Sequence, residues 1–430
     1  MTEPTTATTP IEPPLVTRRT ACRICGGTLD PVLSLGPLAL PRFRLPPDPP
    51  APTAPLDLVQ CRTCRLVQLQ HTVMPDALFR EYWYRSSVNE QMVRELDDVA
   101  RDAVARVTLN TADDVLLDVG ANDGTLLGRF RALAPDVLRI AVEPAANLYD
   151  VARGQADVYL ADYFPLRRPL GFEGQVKILT SIACVYDADD PVAFVTAVDR
   201  LLHKDGVWIV QFQDLAQMTQ ATAFDNVCHE HLTYYSLRSF QQLLLRSEAH
   251  LHVTHAERRL INGGSLRLVV ERLPKPTDRT ISDLTQAEAG SDDWQALERF
   301  AWRVGEARRQ ITAVVDQLLS DGQPLDAYGA STKFSTLAQY CGLGSEAIRQ
   351  VWERSPAKIG RLTTTDIPIV SEEVGRADPP GALLVGVWQF RDAVVRREAA
   401  YLATGRPLVF PLPVVDIVRQ TPTPIETEAP

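Results

Sequence analysis

The feature that most constrains the fold is the segment LLDVGANDG at residues 116–124. An apolar run ends at Asp118, Gly120 and Gly124 frame a tight turn, and a helical pattern follows. About twenty residues further on, a second apolar run ends in Glu143. A strand, a glycine turn, a helix and an acidic residue after the next strand are typical of α/β domains that bind an adenosine cofactor.

The details of this turn favour S-adenosylmethionine (SAM) over a nicotinamide cofactor. The pattern is D-x-G-x-x-x-G, whereas a dinucleotide pyrophosphate is held by bare backbone N–H groups in G-x-G-x-x-G. The carboxylate of Asp118 suits a cationic ligand that carries an amino acid, and Gly120 lets the backbone approach that ligand. Glu143 can accept hydrogen bonds from both ribose hydroxyls. The alternatives are another nucleotide and a turn with only a structural role.

The charge balance excludes two classes of partner. The 430 residues carry a formal net charge of −10 and contain no basic run, so we expect no nucleic acid and no membrane surface as a partner. No segment is apolar enough to span a bilayer or to serve as a secretory signal, which predicts a cytoplasmic protein. Residues 1–20 and 421–430 have the composition of a disordered leader and tail. The oligomeric state stays open.

Four of the seven cysteines form two C-x-x-C pairs with 35 residues between them: Cys22, Cys25, Cys61 and Cys64. Without an export signal, this spacing predicts one tetrahedral Zn²⁺ site in a module at residues 21–75. Four thiolates close the coordination shell, so we expect a structural metal. Four unrelated thiols, or an iron–sulfur or redox site, are the alternatives.

Alternating strand and helix patterns divide the rest of the chain into two α/β units. Five apolar strands with helices between them predict a doubly wound, mostly parallel sheet within residues 76–280. One long amphipathic helix at residues 282–319 leads into a smaller α/β unit, within a domain at residues 281–420. There a glycine turn carries Ser331 and Lys333, and such a turn can hold a phosphate. A solvent-facing lysine is the alternative.

The strongest candidate for chemistry is the run Cys228-His229-Glu230-His231. A histidine titrates near neutral pH, and a neighbouring carboxylate can orient it as a base. Adjacent residues point to different sides of a backbone, so the two histidines need not face one site. A buried, hydrogen-bonded loop is the alternative. Upstream, the aromatic segment around Trp83 can cover the cofactor or pack at a domain seam.

The order of these motifs resembles the three-domain SAM-dependent sugar C-methyltransferases of secondary metabolism. The matching stretches are the two cysteine pairs, YWYRSS, LLDVGANDGTLL, TSIACVYDADDP, HEHLTYYSL, NGGSLR, YGASTK and SPAKIGRLTTTDIPIVSEE. The resemblance implies a zinc module, a central Rossmann-like class I methyltransferase domain and a C-terminal Rossmann-like domain that helps to hold the substrate. It also implies methylation beside the ketone of a nucleotide-linked 4-keto-6-deoxyhexose, in antibiotic sugar biosynthesis.

The resemblance also implies roles for individual residues. His231 corresponds to the base of the family, Glu230 lies beside it, and Tyr82 or Tyr84 lines the site. The stretches that match the cofactor site contain Asp118, Gly120, Asn122, Gly124 and Ser87, and Glu143 after the next apolar run completes the expected cofactor-binding set. The domain that holds the nucleotide sugar contains Ser331 and Lys333.

Three positions depart from the pattern of this family. Cys228 stands where many members have Tyr, Phe334 and Ser335 replace Gly-Asn, and Gln389 replaces the His of W-H-F. The last two departures lie in the substrate-holding domain, so they bear on the identity of the substrate more than on methyl transfer.

The expected reaction begins when His231 removes a proton next to a ketone, and the resulting enolate carbon then takes the methyl group. Tyr84, His229 or a backbone N–H would donate a hydrogen bond to the ketone oxygen. A SAM-dependent O- or N-methyltransferase of another small molecule is the first alternative. A non-catalytic zinc-module scaffold is the second.

Overall fold

Three larger β-sheets and one two-stranded sheet organise the described residues. The computed structural model describes residues 14–109, 113–272 and 277–420. Within them, a four-stranded sheet lies towards the N-terminus, a seven-stranded sheet in the middle and a six-stranded sheet towards the C-terminus. Residues 1–13 of the expected leader and the expected tail at 421–430 lie outside the described residues.

The N-terminal module consists of antiparallel strands. They are β1 (Val16–Arg18), β2 (Leu29–Ala39), β3 (Thr53–Cys61), β4 (Val67–Leu69) and β5 (His71–Val73). β2, β3 and β4 pair in succession, and β1 pairs with β5. Residues 16–18 thus form a strand where the sequence predicts a disordered leader, because they complete a small sheet with β5.

The central unit contains the strands and helices that surround the glycine turn. They are α1 (Asp76–Phe79), α2 (Glu90–Arg106), β6 (Val115–Val119), α3 (Thr125–Leu133), β7 (Leu138–Val142), α4 (Tyr149–Ala152), β8 (Val158–Leu160), β9 (Val176–Ile182), α5 (Pro191–Leu201), β10 (Leu202–Gln213), α6 (Leu215–Gln220), β11 (Thr233–Tyr234), α7 (Leu237–Arg246), β12 (Leu251–Arg259) and β13 (Ser265–Arg272).

The central sheet has the strand order of a class I methyltransferase. Its order is β12-β13-β10-β9-β6-β7-β8, with β6 to β10 parallel and β13 antiparallel to both of its neighbours. β6 is central and every one of its residues is buried, which explains its continuous apolar run. The doubly wound, Rossmann-like sheet expected from the sequence is therefore confirmed.

One strand of the central sequence belongs to the N-terminal sheet. β11 pairs antiparallel with β4, where Thr233 lies opposite Gln68 and Tyr234 opposite Val67. This strand begins directly after His231 and Leu232. The zinc module therefore fixes the backbone that carries the expected base.

The C-terminal unit begins with two helices and ends with a smaller Rossmann-like sheet. Its elements are α8 (Arg279–Ala287), α9 (Trp294–Ser320), β14 (Leu325–Tyr328), α10 (Thr332–Cys341), β15 (Val351–Glu353), β16 (Ile369–Ser371), α11 (Glu372–Ala377), β17 (Ala382–Val385), α12 (Arg391–Arg397), α13 (Ala399–Leu402), β18 (Leu408–Phe410) and β19 (Asp416–Val418). The sheet order is β16-β15-β14-β17-β18-β19, and β19 is antiparallel to β18.

Two helices replace the single helix that the sequence predicts at residues 282–319. The chain turns between α8 and α9, where Gly290 has a φ of +79° that no helix tolerates. The apolar periodicity continues across this break because Leu284 and Leu297 are both buried, one in each helix. Among the described residues, no helix combines the length and the apolar composition needed to cross a bilayer.

One hydrophobic core joins the N-terminal module to the C-terminal unit. It contains Leu58 of β3, Phe300 of α9 and Phe334 of α10 together with Phe224 from the central sequence. A T-shaped contact between Phe43 and Trp83, with ring centroids 5.6 Å apart, extends this junction to the aromatic segment before α2. The three units therefore share a seam, and a large cavity lies along it.

Candidate active site

A cavity of about 530 Å³ lies where the two parallel sheets face each other with their carboxyl ends. Its lining includes Asp118 at the end of β6, Glu143 after β7, and Gly329 to Lys333 after β14. The carboxyl ends of parallel strands are the usual binding edge of open α/β sheets. One cavity thus reaches both the expected cofactor site and the expected substrate-holding turn.

The glycine turn after β6 is shaped for close approach of a ligand. Gly120 has a φ of +71°, and a Cβ there would lie 2.8 Å from the Cβ of Cys184, so a larger residue does not fit. Asp118 accepts a 2.6 Å hydrogen bond from the hydroxyl of Thr180, and burial raises the pKa of Asp118 to about 7. Asp118 and Gly120 both line the cavity, as the motif predicts for a SAM site.

The carboxylate of Glu143 is held in a fixed orientation by two backbone groups. Its Oε1 accepts from the N–H of Ala145 and its Oε2 from the N–H of Asn122, both at 2.8 Å. Each oxygen keeps a further lone pair, so the carboxylate can still accept from a diol. Burial raises the pKa of Glu143, although these two N–H groups oppose that shift.

The aromatic segment before α2 is tied down across the glycine turn. The side chain of Asn122 accepts from the backbone N–H of Ser86 at 3.0 Å and donates to the carbonyl of Tyr84 at 3.1 Å. The backbone N–H of Ser87 donates to Asp123 at 2.9 Å. Asn122 and Asp123 therefore both hold this segment beside the expected cofactor site.

Two residues proposed for the cofactor site lie outside the cavity lining. Ser87 is exposed, and its neighbour Ser86 lines the cavity instead. Gly124 precedes α3 with a φ of +78°, so its role is to begin the helix without a Cβ clash. A role for Ser87 and Gly124 in cofactor binding stays a prediction, and neither residue lines the cavity.

Tyr82 and Tyr84 both line the cavity. Burial, together with the nearby carboxyl groups of Glu230 and Asp187, raises the pKa of Tyr82. Its phenol therefore stays protonated at neutral pH and is available as a hydrogen-bond donor.

His231 has the geometry of a neutral base. Its Nδ1 lies 3.1 Å from the carbonyl oxygen of Asn226, and a carbonyl can only accept, so Nδ1 carries the proton and the lone pair is on Nε2. Its ring makes a T-shaped contact with Tyr186, with centroids 4.5 Å apart. Burial lowers the pKa of His231 to about 4, and the charge of Lys333 acts in the same direction.

The two histidines of the run face different environments. His229 is buried outside the cavity lining, with its Nε2 3.0 Å from the carbonyl oxygen of Ala54 in β3. It joins this loop to the zinc module, so it cannot donate to a ketone in the cavity. Glu230, in contrast, lines the cavity beside His231, and burial raises its pKa to about 7.

Lys333 lies close to His231, deep in the seam. Its Nζ donates to the carbonyl of Asn262 at 2.5 Å, and the buried carboxyl group of Asp225 lies nearby. Burial lowers the pKa of Lys333, while Asp225 opposes that shift. The hydroxyl of Ser331 also lines the cavity and caps α10 by accepting from Phe334 at 3.0 Å.

Further basic side chains line the cavity that the sequence analysis did not single out. Lys358 donates to the carbonyl of Ala330 at 2.7 Å, and Arg354 lies 3.7 Å from Glu372. Arg85 lines the cavity from the aromatic segment. Lys358 and Arg85 lie in stretches that match the family, but these residues are far apart in the sequence and form no local motif. Only the fold brings them together.

The four predicted zinc ligands converge in the N-terminal module. The sulfur atoms of Cys22 and Cys64 are 3.5 Å apart, those of Cys25 and Cys61 are 3.4 Å apart, and all four lie within 4.8 Å of one another. Tetrahedral Zn²⁺ with thiolates at about 2.3 Å needs sulfurs about 3.8 Å apart. A Cβ on Gly27 would meet the sulfurs of Cys61 and Cys25 at 3.0 and 3.2 Å, so this glycine leaves room for the cluster.

Comparison with known proteins agrees with this arrangement. A family model described as "Putative zinc binding domain" matches residues 22–79, and one described as "C-methyltransferase C-terminal domain" matches residues 260–413. The chain is 30% identical over 416 residues to C-methyltransferase NovU of Streptomyces niveus, a match that covers 91% of this chain and 95% of NovU. The chain belongs to this C-methyltransferase family. It is therefore a SAM-dependent methyltransferase with a zinc-binding module.

Solved structures resemble parts of this C-methyltransferase. Geranyl diphosphate C-methyltransferase from Streptomyces coelicolor is 11% identical, with a TM-score of 0.35 and coverage of 43% of this chain and 84% of that one. A SAM-dependent methyltransferase from Clostridium acetobutylicum is 14% identical, with a TM-score of 0.33 and coverage of 42% and 92%. The fold assignment rests on the strand order described above.

Proposed function

We propose that this C-methyltransferase adds a methyl group to the carbon next to the ketone of a nucleotide-linked 4-keto-deoxysugar, in the biosynthesis of an antibiotic sugar. The observation that carries the proposal is His231: its Nδ1 bonds to a carbonyl, its Nε2 has no hydrogen-bond partner among the described residues, and it lines one cavity with the glycine turn after β6. Carbon is a poor nucleophile unless a base first removes a proton beside an electron-withdrawing group.

His231 acts as that base in the proposed reaction. The carbonyl of Asn226 holds its Nδ1 proton, so the imidazole keeps one orientation and one tautomer before substrate binds. As the proton moves to Nε2, the same carbonyl stabilises the imidazolium that forms. SAM, when bound, supplies a methyl group that its sulfonium has already activated.

Lys333 and Tyr82 stabilise the negative charge that develops on the ketone oxygen. Lys333 and Tyr82 line the same cavity as His231, and the charge of Lys333 contributes to the lowered pKa of His231. A donor aimed at a developing oxyanion contributes about 3–4 kcal/mol to catalysis. This role for Lys333 differs from the phosphate contact that its glycine turn suggests, because its Nζ is directed towards Asn262.

A second group of basic residues favours the binding of a negatively charged substrate. Arg85, Arg354 and Lys358 line the same cavity. Guanidinium and ammonium groups are the side chains that recognise phosphate oxygens. In the proposal, they face the diphosphate while the keto-sugar reaches His231.

The test is deuterium exchange in heavy water. The full-length protein is incubated with a panel of nucleotide-linked 4-keto-6-deoxyhexoses without SAM, and NMR follows the protons next to the ketone. The proposal expects exchange by the wild type, loss of most of it in His231→Ala, and retention in the control His250→Asn, whose histidine is 84% exposed. Equal exchange rates in wild type and His231→Ala would refute the role of the base.

A further inference from the structure

We propose that Cys228, Glu230 and His231 form a second metal site, which takes one thiophilic divalent cation such as Zn²⁺. Each residue offers one ligand atom, and these sulfur, oxygen and nitrogen atoms all lie within 4.8 Å of one another. The Sγ of Cys228 is 3.8 Å from the Oε2 of Glu230. All three side chains line the cavity.

The separations are close to those of a zinc centre. Bond lengths of about 2.0–2.3 Å in a tetrahedral site place ligand atoms about 3.3–3.8 Å apart. Small side-chain rotations therefore suffice to bring the three atoms onto one ion. The backbone between them is already a closed turn, because the N–H of His231 donates to the carbonyl of Cys228 at 3.1 Å.

An independent observation concerns the other nitrogen of His231. Histidines that bind metals almost always donate their second ring N–H to a carbonyl, a carboxylate or water, which fixes the tautomer. The Nδ1 of His231 already has such a partner in the carbonyl of Asn226, and Nε2 is the nitrogen that remains.

The surrounding charges favour a cation at this place. Asp187 also lines the cavity, and its buried Oδ1 has no hydrogen-bond partner within the part of the chain that the structure describes. The opposing charge is Lys333, but its Nζ bonds to a carbonyl and lies near the carboxyl group of Asp225. Glu230 and Asp187 place two carboxyl groups beside the thiol of Cys228 in this cavity, and a bound cation would favour loss of their protons.

This site differs in kind from the four-cysteine site. Three protein ligands leave one position of a tetrahedral ion open to the cavity, whereas four thiolates close the shell. The bound ion occupies the lone pair on Nε2 of His231. If the proposed function holds, a cation at this site blocks proton abstraction, so the loaded enzyme is inhibited. Metal binding itself does not depend on that function.

The experiment counts Zn²⁺ ions on the full-length protein. Elemental analysis after equilibration with excess Zn²⁺ and gel filtration gives the stoichiometry, and titration against a chromophoric chelator gives the affinity. We expect two ions per wild-type chain and one in Cys228→Ser. The matched control is Cys341→Ser, since Cys341 is buried in α10 outside the cavity lining, and it should retain two.

A second variant guards against misfolding of the first. Glu230→Gln keeps the size of the side chain but removes its charge, and we expect more than about tenfold weaker binding of the second ion. One ion in the wild type, or two ions of unchanged affinity in both variants, would overturn the proposal. Deuterium exchange is measured in a separate assay. A failure of the proposed function would change the exchange result and leave the metal count unchanged.

Discussion

The indole Nε1 of Trp388 donates a 2.7 Å hydrogen bond to Oδ2 of Asp225. Trp388 belongs to the C-terminal unit, whereas Asp225 precedes the loop that carries His231. Asp225 is fully buried, and its other oxygen, Oδ1, has no partner within the described residues. This hydrogen bond therefore connects the C-terminal unit to the segment that precedes the loop with His231.

Trp388→Phe should weaken this connection. The change keeps most of the apolar contact but leaves the buried carboxyl group of Asp225 without its donor, at a cost of about 1–3 kcal/mol. We expect a lower free energy of unfolding and a raised KM for the nucleotide sugar, with little change in SAM affinity. Chemical denaturation and steady-state kinetics measure these effects. An unchanged free energy of unfolding would show that the bond does not contribute.

Gly120→Ala should damage the SAM site. The φ of +71° costs a residue with a Cβ about 1–2 kcal/mol, and the new methyl group would lie 2.8 Å from the Cβ of Cys184. The control is Gly154→Ala, because a Cβ there meets nothing within 4 Å. Calorimetric titration with SAM should show a large loss of affinity in the first variant and none in the control. Equal affinities would contradict the assignment of this turn.

Removal of zinc should abolish turnover, although the four cysteines lie outside the cavity lining. The zinc module pairs β4 with β11, and His229 contacts β3, so loss of the module releases the loop of His231. Cys61→Ser is expected to lower the melting temperature and the rate together. SAM affinity should persist, because Asp118 lies in β6 and Gly120 and Glu143 directly follow strands of the central sheet. Full activity of a protein shown to lack zinc would contradict this coupling.

The pH dependence of kcat/KM should reflect a base with a lowered pKa. Because burial lowers the pKa of His231 to about 4, Nε2 stays unprotonated far below the usual histidine range. We expect the acid limb of the kcat/KM profile near pH 4. Burial raises the pKa of Glu230 to about 7, so its titration should cause any second inflection of the kcat/KM profile near neutral pH. Glu230→Gln should remove that inflection. An acid limb near pH 6.5 in Glu230→Gln would show that His231 is not buried in the working enzyme.

Local sequence patterns predicted most of the fold. The apolar runs that end at Asp118 and before Glu143 form β6 and β7, and almost all residues of these two strands are buried. The break at Gly290 was missed because apolar residues keep helical spacing on both sides of it. The pairing of β11 with β4 joins positions far apart in the chain. No local pattern encodes such a contact.

The site was predicted to a similar extent. The sequence singled out the glycine turn, the run around His231 and the four cysteines, since each is a local motif. The turn and His231 line one cavity, and the cysteines converge. It could not show that His229 points into the zinc module, because a side chain's direction depends on its tertiary neighbours. It also missed Arg85, Arg354 and Lys358, which the fold gathers from separate segments.

The proposed reaction adds a methyl group to the carbon next to a ketone. The position of the new methyl group in the product is the decisive measurement. The protein is incubated with SAM carrying a ¹³C-labelled methyl group and the panel of nucleotide-linked 4-keto-6-deoxyhexoses, and NMR of the product locates the label. We expect a label bonded to the carbon next to the ketone. A label on oxygen or nitrogen, or no transfer while SAM remains bound, would contradict the proposed reaction.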